Sequence, residues 1–371
     1  MSIRALCTCL LLAGSVVGIG LWKATPVRGA SATSTASWNR KAAAAYLDNR
    51  EVWWQEWPRA QKDHGTICIS CHTVVPYAMA RPALRHELSE TEMTAPEKIM
   101  VDSVEKRVSH WSEMVPFYSD AANGPGKTAE AHATEAVLNA VILASYDGQQ
   151  KHLRPITRAA FDAAWALQEQ TGEKAGAWKW QDFHLGPWES WESGYQGAAL
   201  LMLEVGNAPD RYASEAPIRA HVELLREYLR RYYPVEPLMN QLYVLWASAK
   251  VPGLLTKTEQ KALLETVRNT QQPDGGWRLA LMDRKQRLDK SPEPAESDGC
   301  ATALAVLALE GTNRHDDTLT RGLTWLEQHQ QKDGNWTASS LNKQRDPESN
   351  VGRFMSDAAT GYAVLALEKA R

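Results

Sequence analysis

The residues best suited to chemistry lie at Cys68-Ile69-Ser70-Cys71-His72, where two thiols are separated by two residues and followed directly by an imidazole. This spacing allows the thiols to add across the two vinyl groups of a haem, and it places the imidazole beside the second thioether. The sequence therefore predicts covalently attached haem c on Cys68 and Cys71, with His72 as the proximal ligand of the iron.

Three other chemistries use a Cys-x-x-Cys pair. A thioredoxin-like redox dithiol needs a strand-turn-helix context, and no alternating strand pattern surrounds Cys68. A zinc site needs further ligands, and no second Cys-x-x-Cys or His pair lies close by in the sequence. A plain disulfide between Cys68 and Cys71 remains an alternative, because disulfides persist outside the cytoplasm.

Further side chains are candidates for the second axial position and for the haem propionates. We expect His132 to be the distal ligand of the iron. The other candidates for that position are His64, His110, Met79, Met100 and Met114. Arg81 and Arg85 are four residues apart on one helical face, so we expect them to pair with the propionates, with solvated arginines as the alternative.

The amino terminus has the pattern of an export signal. Arg4 supplies a positive charge, residues 7–21 are apolar, and residues 30–32 are small enough for cleavage. We expect residues 1–32 to be a signal peptide and the mature chain to be periplasmic or otherwise exported. Membrane association is expected only through an uncleaved signal, because the apolar run is short for a membrane-spanning helix.

Short helical segments rich in Ala and Leu recur along the chain at offsets of about 59 residues. They begin near Thr134, Ser193, Asp298 and Ser356, and a segment at Met239, 46 residues after Ser193, fills the gap between the second and third. The same interval projected back from Thr134 reaches residues 75–78, immediately after His72. The sequence thus predicts six equivalent helices, with the haem attachment motif at the start of the first.

The segments between these helices share a short motif, which consists of Gln, then an Asp-Gly turn, then Trp. Residues 271–277 read QQPDGGW and residues 330–336 read QQKDGNW, and residues 168–178 hold a looser version. An Asp-Gly pair makes a turn that stops a helix. We expect the Gln and Trp side chains to hydrogen-bond and stack, so that each hairpin is stapled to its neighbour.

These motifs resemble the QW repeats of the squalene-hopene cyclase and prenyltransferase superfamily, over roughly residues 130–371. The resemblance implies an all-α fold, an α/α toroid of helical hairpins, here with the haem motif in the first repeat. We expect residues 38–128 to be the haem-attachment region and residues 129–371 the cyclase-like toroid. A separate cytochrome c domain over residues 38–128 is the alternative.

The chain departs from that superfamily at its catalytic acid. Class II cyclases carry an Asp-x-Asp-Asp-Thr-Ala motif, whose middle Asp protonates the polyene, whereas residues 298–303 here read DGCATA. Cys300 and Ala301 stand where the two adjacent acids belong, so class II cyclase activity is not expected. Asp298 and Cys300 also match only part of the zinc-binding set of the protein prenyltransferase β subunits.

In such a toroid the inner helices begin at one mouth of the central cavity, so side chains at the starts of the other inner helices are expected to face the haem iron. They are Glu135, His184, Glu189, Glu192, Met239, Asp298, Met355 and Asp357. Trp53, Trp54 and Trp57 precede the motif and are expected either to pack on the porphyrin or to form a structural seam. The Trp-rich residues 178–192 are expected to form either a cavity rim or an inter-helix loop.

The sequence is compatible with three alternative functions. The first is an exported c-type haem protein for electron transfer or haem redox chemistry, a haem-dependent oxidoreductase with a redox partner protein and a hydrophobic small molecule in the toroid. The alternatives are a cyclase or prenyltransferase-like enzyme without haem, and a non-catalytic binding toroid with a disulfide between Cys68 and Cys71. The net charge of -3 and the lack of a basic stripe exclude nucleic acid as an expected partner.

Overall fold

The structure is a computed structural model that describes residues 38–114, 124–283, 286–312 and 316–370. The expected signal peptide, residues 1–32, lies outside these ranges. Within them, no helix combines the length and the apolar character needed to cross a membrane.

The described residues form thirteen α-helices and one small antiparallel hairpin. The helices are α1 Arg40–Glu56, α2 Val74–Glu87, α3 Ala95–Ser109, α4 Gly124–Gln150, α5 Pro155–Ala166, α6 Ser193–Asn207, α7 Ala216–Tyr232, α8 Leu238–Ser248, α9 Lys257–Thr270, α10 Leu279–Met282, α11 Gly299–Glu310, α12 Asp317–Gln328 and α13 Phe354–Lys369. Strands β1 (Gln61–Lys62) and β2 (Thr66–Ile67) pair between α1 and α2.

Six inner helices form a closed ring, and their sequences explain why they are inside. Helices α2, α4, α6, α8, α11 and α13 each pack on the next, and α13 packs on α2. In α11 every residue from Gly299 to Leu309 is buried, as expected for a helix that is apolar on all sides. By contrast α7, which alternates with them, buries one stripe through Ile218, Val222, Leu225 and Leu229.

The α/α toroid predicted from the sequence is confirmed. Helix α2 begins at Val74, two residues after His72, and it takes the first of the six inner positions. Residues Ala36–Arg371 form one compact unit. The boundary expected after residue 128 falls inside α4, so the region that carries the haem motif and the rest of the ring share a helix.

The Gln and Trp side chains of this repeated motif form hydrogen bonds that hold the helices of the ring together, as predicted. The side-chain amide of Gln271 donates to the carbonyl of its own turn at Gly275 and to that of Thr318 in α12, at 2.8 and 2.9 Å. The indole N–H of Trp277 donates to the carbonyl of Val267 in α9 at 2.8 Å. Each Gln therefore binds the next hairpin, while each Trp binds the outer helix of its own hairpin.

The last copy of this staple closes the ring between its last hairpin and its first outer helix, α1. Gln330 donates to the carbonyl of Asn39 at 3.0 Å and accepts from its N–H at 2.6 Å. Gly334 makes the close approach to α1 feasible, because its φ is +97° and a Cβ there would lie 2.1 Å from the carbonyl oxygen of Ala42. Residues almost three hundred positions apart are thus joined.

We expect Gln330→Ala to lower the free energy of unfolding by about 1 to 2 kcal/mol, because the N–H of Asn39 loses its partner and the carbonyl of Asn39 keeps only the N–H of Ala43. Urea denaturation measures this change. Gln331→Ala is the matched control: its exposed amide reaches only the nearby carbonyl of His329, so the loss should stay within about 0.5 kcal/mol. Equal losses in the two variants would contradict a ring-closing role for Gln330.

Candidate functional site

The predicted haem attachment loop is held in place by its own backbone. The N–H of Cys68 donates to the carbonyl of Ala60 at 2.7 Å, and the indole N–H of Trp54 donates to the carbonyl of Cys68 at 2.7 Å. Ser70 then starts α2, since its hydroxyl oxygen accepts from the N–H of Val74 at 3.1 Å. The loop is thus fixed at both ends before any ligand is added.

A chain of hydrogen bonds orients the ring of His72. Its Nδ1 lies 2.9 Å from the hydroxyl oxygen of Thr73, and that hydroxyl donates to Oδ2 of Asp357 at 2.8 Å. Arg50 donates to both oxygens of the same carboxylate, at 2.7 and 2.9 Å, and the hydroxyl of Tyr46 donates at 2.9 Å. Asp357 is therefore surrounded by donors and acts only as an acceptor.

This network fixes the tautomer of His72. Because the proton of the Thr73 hydroxyl is used on Asp357, the hydroxyl oxygen must accept from Nδ1–H of His72. Nε2 then carries the lone pair, and no described residue hydrogen-bonds to it. Burial, together with the charges of Arg50 and Arg345, lowers the pKa of His72 to about 3, so the ring is neutral. A neutral imidazole with one nitrogen anchored through a carboxylate is the usual arrangement of a metal-binding histidine.

Aromatic rings enclose this imidazole. Phe354 stacks on it with ring centroids 3.7 Å apart and planes 20° apart, while Trp54 and Trp188 approach at 5.3 and 5.4 Å. An imidazole binds a metal through a nitrogen in the plane of its ring. Stacking on its face therefore leaves coordination through Nε2 feasible.

Two cavities flank the loop. One, of about 340 Å³, is lined by His72, Phe354 and Met355, and we call it the His72 cavity. The other, of about 470 Å³, is lined by Cys68 and Thr134, and we call it the Cys68 cavity. Both volumes lie within the roughly 300 to 1,000 Å³ typical of small-molecule sites.

Three side chains line both cavities, namely Trp57, Arg59 and Glu189. Arg345 adds a second cation to the His72 cavity. Burial raises the pKa of the Glu189 carboxyl, and Arg345 opposes that shift. The shared rim thus combines one aromatic ring, one arginine and one carboxylate, and the His72 cavity has a second arginine.

The two thiols of the motif are free, and burial changes their acidity. It raises the pKa of Cys68 to about 11 and shifts the pKa of Cys71 upward as well. A redox dithiol needs a lowered thiol pKa to form the reactive thiolate. These thiols therefore lack the electrostatics of a thioredoxin-like site.

The donors of the motif also do not converge as zinc ligands. Among the described residues, the one group of three or more His, Cys, Asp or Glu residues close enough to share a metal ion is His64, His110 and Glu113. Asp298 and Cys300 are not in such a group either. Asp298 instead caps α11, accepting from the N–H groups of Cys300 and Ala301 at 3.0 and 2.9 Å.

The expectation for Arg81 and Arg85 needs correction. Arg81 is buried between Asp48 and Glu90, at 2.9 and 2.6 Å, and Arg85 lies 3.3 Å from a carboxylate oxygen of Glu97. At a rise of about 1.5 Å per residue, they stand roughly 10 and 16 Å along α2 from its first residue, beside the haem motif. Both guanidinium groups are neutralised within the fold, so neither is placed to bind a propionate.

The candidate distal ligands are dispersed. The ring of His132 stacks on Trp111 at 4.2 Å, and His132 lines neither the His72 cavity nor the Cys68 cavity. Met79, Met100 and Met114 are buried in the core, and His64 stacks on His110. Of the sulfur candidates, Met355 shares the His72 cavity. The distal role of His132 stays a prediction.

The other groups expected at the mouth separate into two sets. Asp357, Glu189 and Met355 meet around the motif, as described above. Glu135 lines the Cys68 cavity but is paired with Arg107, His184 is exposed beside Asp182, and Met239 is buried. Glu192 offers its backbone carbonyl to Asn240.

Several site residues were missed by sequence reasoning, namely Arg50, Thr73, Arg59, Arg345 and Phe354. Arg50 lies on α1, and Arg345 and Phe354 come from the last hairpin, so no local spacing connects them to Cys68. Thr73 did offer a signal, since a hydroxyl directly after the histidine can reach the ring nitrogen of its neighbour.

Comparison with known proteins supports the fold. Residues 239–367 match the family model described as the squalene-hopene cyclase C-terminal domain. Two solved structures, a glycosidase and a glycosyl hydrolase of family 88 from Bacteroides vulgatus, are each 12% identical to this chain, with TM-scores of 0.47 and 0.35. The first comparison covers 89% of this chain and 97% of the other, and the second covers 90% and 91%. No curated protein matches the chain.

We expect Asp357→Asn to lower the free energy of unfolding by about 3 kcal/mol, because it leaves the buried guanidinium of Arg50 without its charge partner. Glu348→Gln is the control: this carboxylate also binds an arginine, Arg353, but is 80% exposed, so about 0.5 kcal/mol or less should be lost. Urea denaturation compares the two variants. Similar small losses would show that the buried pair does not stabilise the fold.

Proposed function

We propose that this chain is an exported c-type haem protein, with haem c tethered through Cys68 and Cys71 at the mouth of the toroid and bound by Nε2 of His72. The arrangement of His72 carries this proposal: its ring is neutral, Nδ1 is anchored through Thr73 to Asp357, and Nε2 is left free. Bound haem would supply one-electron redox chemistry at this mouth.

The donor set fits haem better than it fits the alternatives. Thioethers join the edge of a macrocycle, so the two thiols and the imidazole need not meet at one point, as zinc ligands must. The motif has two unbridged thiols, an imidazole and adjoining cavities, and its three donors do not cluster. Aromatic rings on the cavity walls offer the apolar surface that a porphyrin covers.

Arg59 and Arg345 are the propionate partners in this proposal. Arg59 lines both cavities and Arg345 lines the His72 cavity, whereas Arg81 and Arg85 are neutralised elsewhere. Guanidinium groups bind carboxylates through paired hydrogen bonds, and Arg59 is exposed enough to face water as propionates do.

The function of this centre is electron transfer or haem redox chemistry with a redox partner protein. A hydrophobic small molecule in the toroid is the less supported part of the proposal, because the cavity next to Cys71 measures only about 10 Å³. The cyclase-like alternative lacks its acid, since Cys300 and Ala301 are buried where two carboxylates would be needed. The match to a cyclase family model thus supports the fold and leaves that chemistry without a proton donor.

The first test is covalent haem. The full chain, secreted in a host with haem maturation machinery, should give a haem-stained band on a denaturing gel and a reducible Soret band. Cys68→Ala with Cys71→Ala should abolish both signals, because no thioether can form. Cys300→Ala, which changes the remaining buried thiol of the described residues, should keep them.

A colourless wild-type protein from that host would overturn the proposal. If such a protein were oxidised at Cys68 and Cys71, the disulfide alternative would hold instead. If it converted polyprenyl substrates, the enzyme alternative would hold.

The second test concerns the charges on the rim. Arg345→Gln should lower the midpoint potential by roughly 40 mV, because losing a cation near the haem removes about 1 kcal/mol of support for the added electron. Redox titration followed at the Soret band measures it. Arg230→Gln, at an exposed position on α7, should leave the potential unchanged. Equal potentials in all three proteins would place Arg345 away from the haem.

The third test concerns the network behind His72. Thr73→Val removes the acceptor for Nδ1–H, so the imidazole becomes a weaker donor to the iron and the midpoint potential should rise. Covalent haem should be retained, because both thiols are intact. An unchanged potential in a haem-loaded Thr73→Val protein would contradict the role given to this network.

A further inference from the structure

A second group of ligand-type side chains lies outside the haem attachment loop. His64 follows β1, His110 ends α3, and Glu113 lies in the 3₁₀ turn after it. One potential ligand atom from each residue lies within 4.8 Å of those of the other two. Their side chains are partly exposed, so an ion from solution can reach them.

Two of the three ligand-to-ligand distances match those around a small divalent cation, and the third, between the two imidazole nitrogens, is within 4.8 Å. Oε2 of Glu113 lies 3.4 Å from Nε2 of His64 and 3.4 Å from Nδ1 of His110. With metal–ligand bonds of about 2.0 to 2.2 Å, two ligands of a tetrahedral ion are about 3.3 to 3.6 Å apart. The carboxylate oxygen is therefore already at ligand-to-ligand distance from both imidazole nitrogens.

The two histidines approach each other in a defined way. Their rings stack with centroids 4.6 Å apart and planes 17° apart, so one of these partly exposed rings must rotate before both in-plane nitrogens face the same ion. His64 takes a left-handed backbone conformation, with φ of +58°, in the short turn between β1 and β2. Histidine tolerates this conformation better than most residues, and here the turn carries the ring toward α3.

The turn that carries His64 is itself anchored on the helix that carries His110. The N–H of Ile67 donates to the hydroxyl of Ser103 in α3 at 2.9 Å. Arg107, also in α3, donates to the hydroxyl oxygen of Thr66 at 2.6 Å. These bonds fix the hairpin before a metal binds, which is the preorganisation that a tight metal site requires.

We propose that Nε2 of His64, Nδ1 of His110 and Oε2 of Glu113 bind one zinc-class divalent cation, with the fourth position open to water. Two imidazoles and one carboxylate are a donor set that suits Zn²⁺. The ion ties the β1–β2 hairpin to the end of α3, directly before the loop that carries Cys68. This site uses no residue of the proposed haem centre, so either proposal can fail without the other.

Equilibrium dialysis of the tag-free full-length protein against Zn²⁺, with metal quantified by mass spectrometry, tests this site. One Zn²⁺ per chain is expected, and saturation should raise the melting temperature, because the ion binds the folded state. His64→Ala and His110→Ala should each weaken binding about 10-fold or more and abolish the thermal shift. His86→Ala, which removes an 86% exposed imidazole elsewhere, is the matched control and should bind as the wild type does.

Circular dichroism shows whether the variants are folded. Glu113→Gln, at a 58% exposed position, should also weaken Zn²⁺ binding. The proposal is overturned if the wild type binds no Zn²⁺, or if folded His64→Ala and His110→Ala proteins bind it as well as the wild type. A variant with both Cys68→Ala and Cys71→Ala should still bind Zn²⁺. Loss of zinc there would assign the metal to the thiols instead and would also overturn the proposal.

Discussion

The buried ion pair between Arg50 and Asp357 is the interaction on which the rest of the site depends. It joins α1 to α13, the first and last helices of the described residues, and its carboxylate also accepts hydrogen bonds from the hydroxyls of Thr73 and Tyr46. Removing two charges from water is costly, and four donors around one carboxylate are what offset that cost. The same contact thus helps to close the toroid and sets the orientation of the His72 imidazole.

Closure of the toroid and construction of the site are therefore coupled. The ring is closed by non-covalent contacts alone at the seam where its first and last hairpins meet. There Gln330 binds Asn39 and Asp357 binds Arg50. The motif loop is inserted at this seam, between the first outer helix and the first inner helix. A change that disrupts the contact between Arg50 and Asp357 would consequently alter the orientation of the His72 imidazole through Thr73.

The fold and the candidate chemistry depend on different residues. The toroid explains how Ala- and Leu-rich helices bury their surfaces, and its residues 239–367 match a cyclase family model. The acid that such cyclases use is replaced by Cys300 and Ala301, and Asp298 serves as a helix cap. The side chains whose chemistry the fold does not explain are instead the two thiols and the imidazole of Cys68, Cys71 and His72.

The sequence by itself determined the architecture, because the interval between the inner helices and the Gln, Asp-Gly and Trp motif between them can be read from the local sequence. The spacing of the inner helices placed α2 directly after His72, and the Gln-Trp segments predicted the staples that are observed. Where charges pair was decided only by the tertiary structure. Arg81 and Arg85 have the right spacing for propionates, yet they form ion pairs with Asp48, Glu90 and Glu97. The residues that lie near the motif instead are Thr73, Arg59 and Arg345. A buried charge takes the nearest partner in space, and here those partners lie on α1, on α3 and in the loop between α2 and α3, so the pairing depends on how these elements pack against one another.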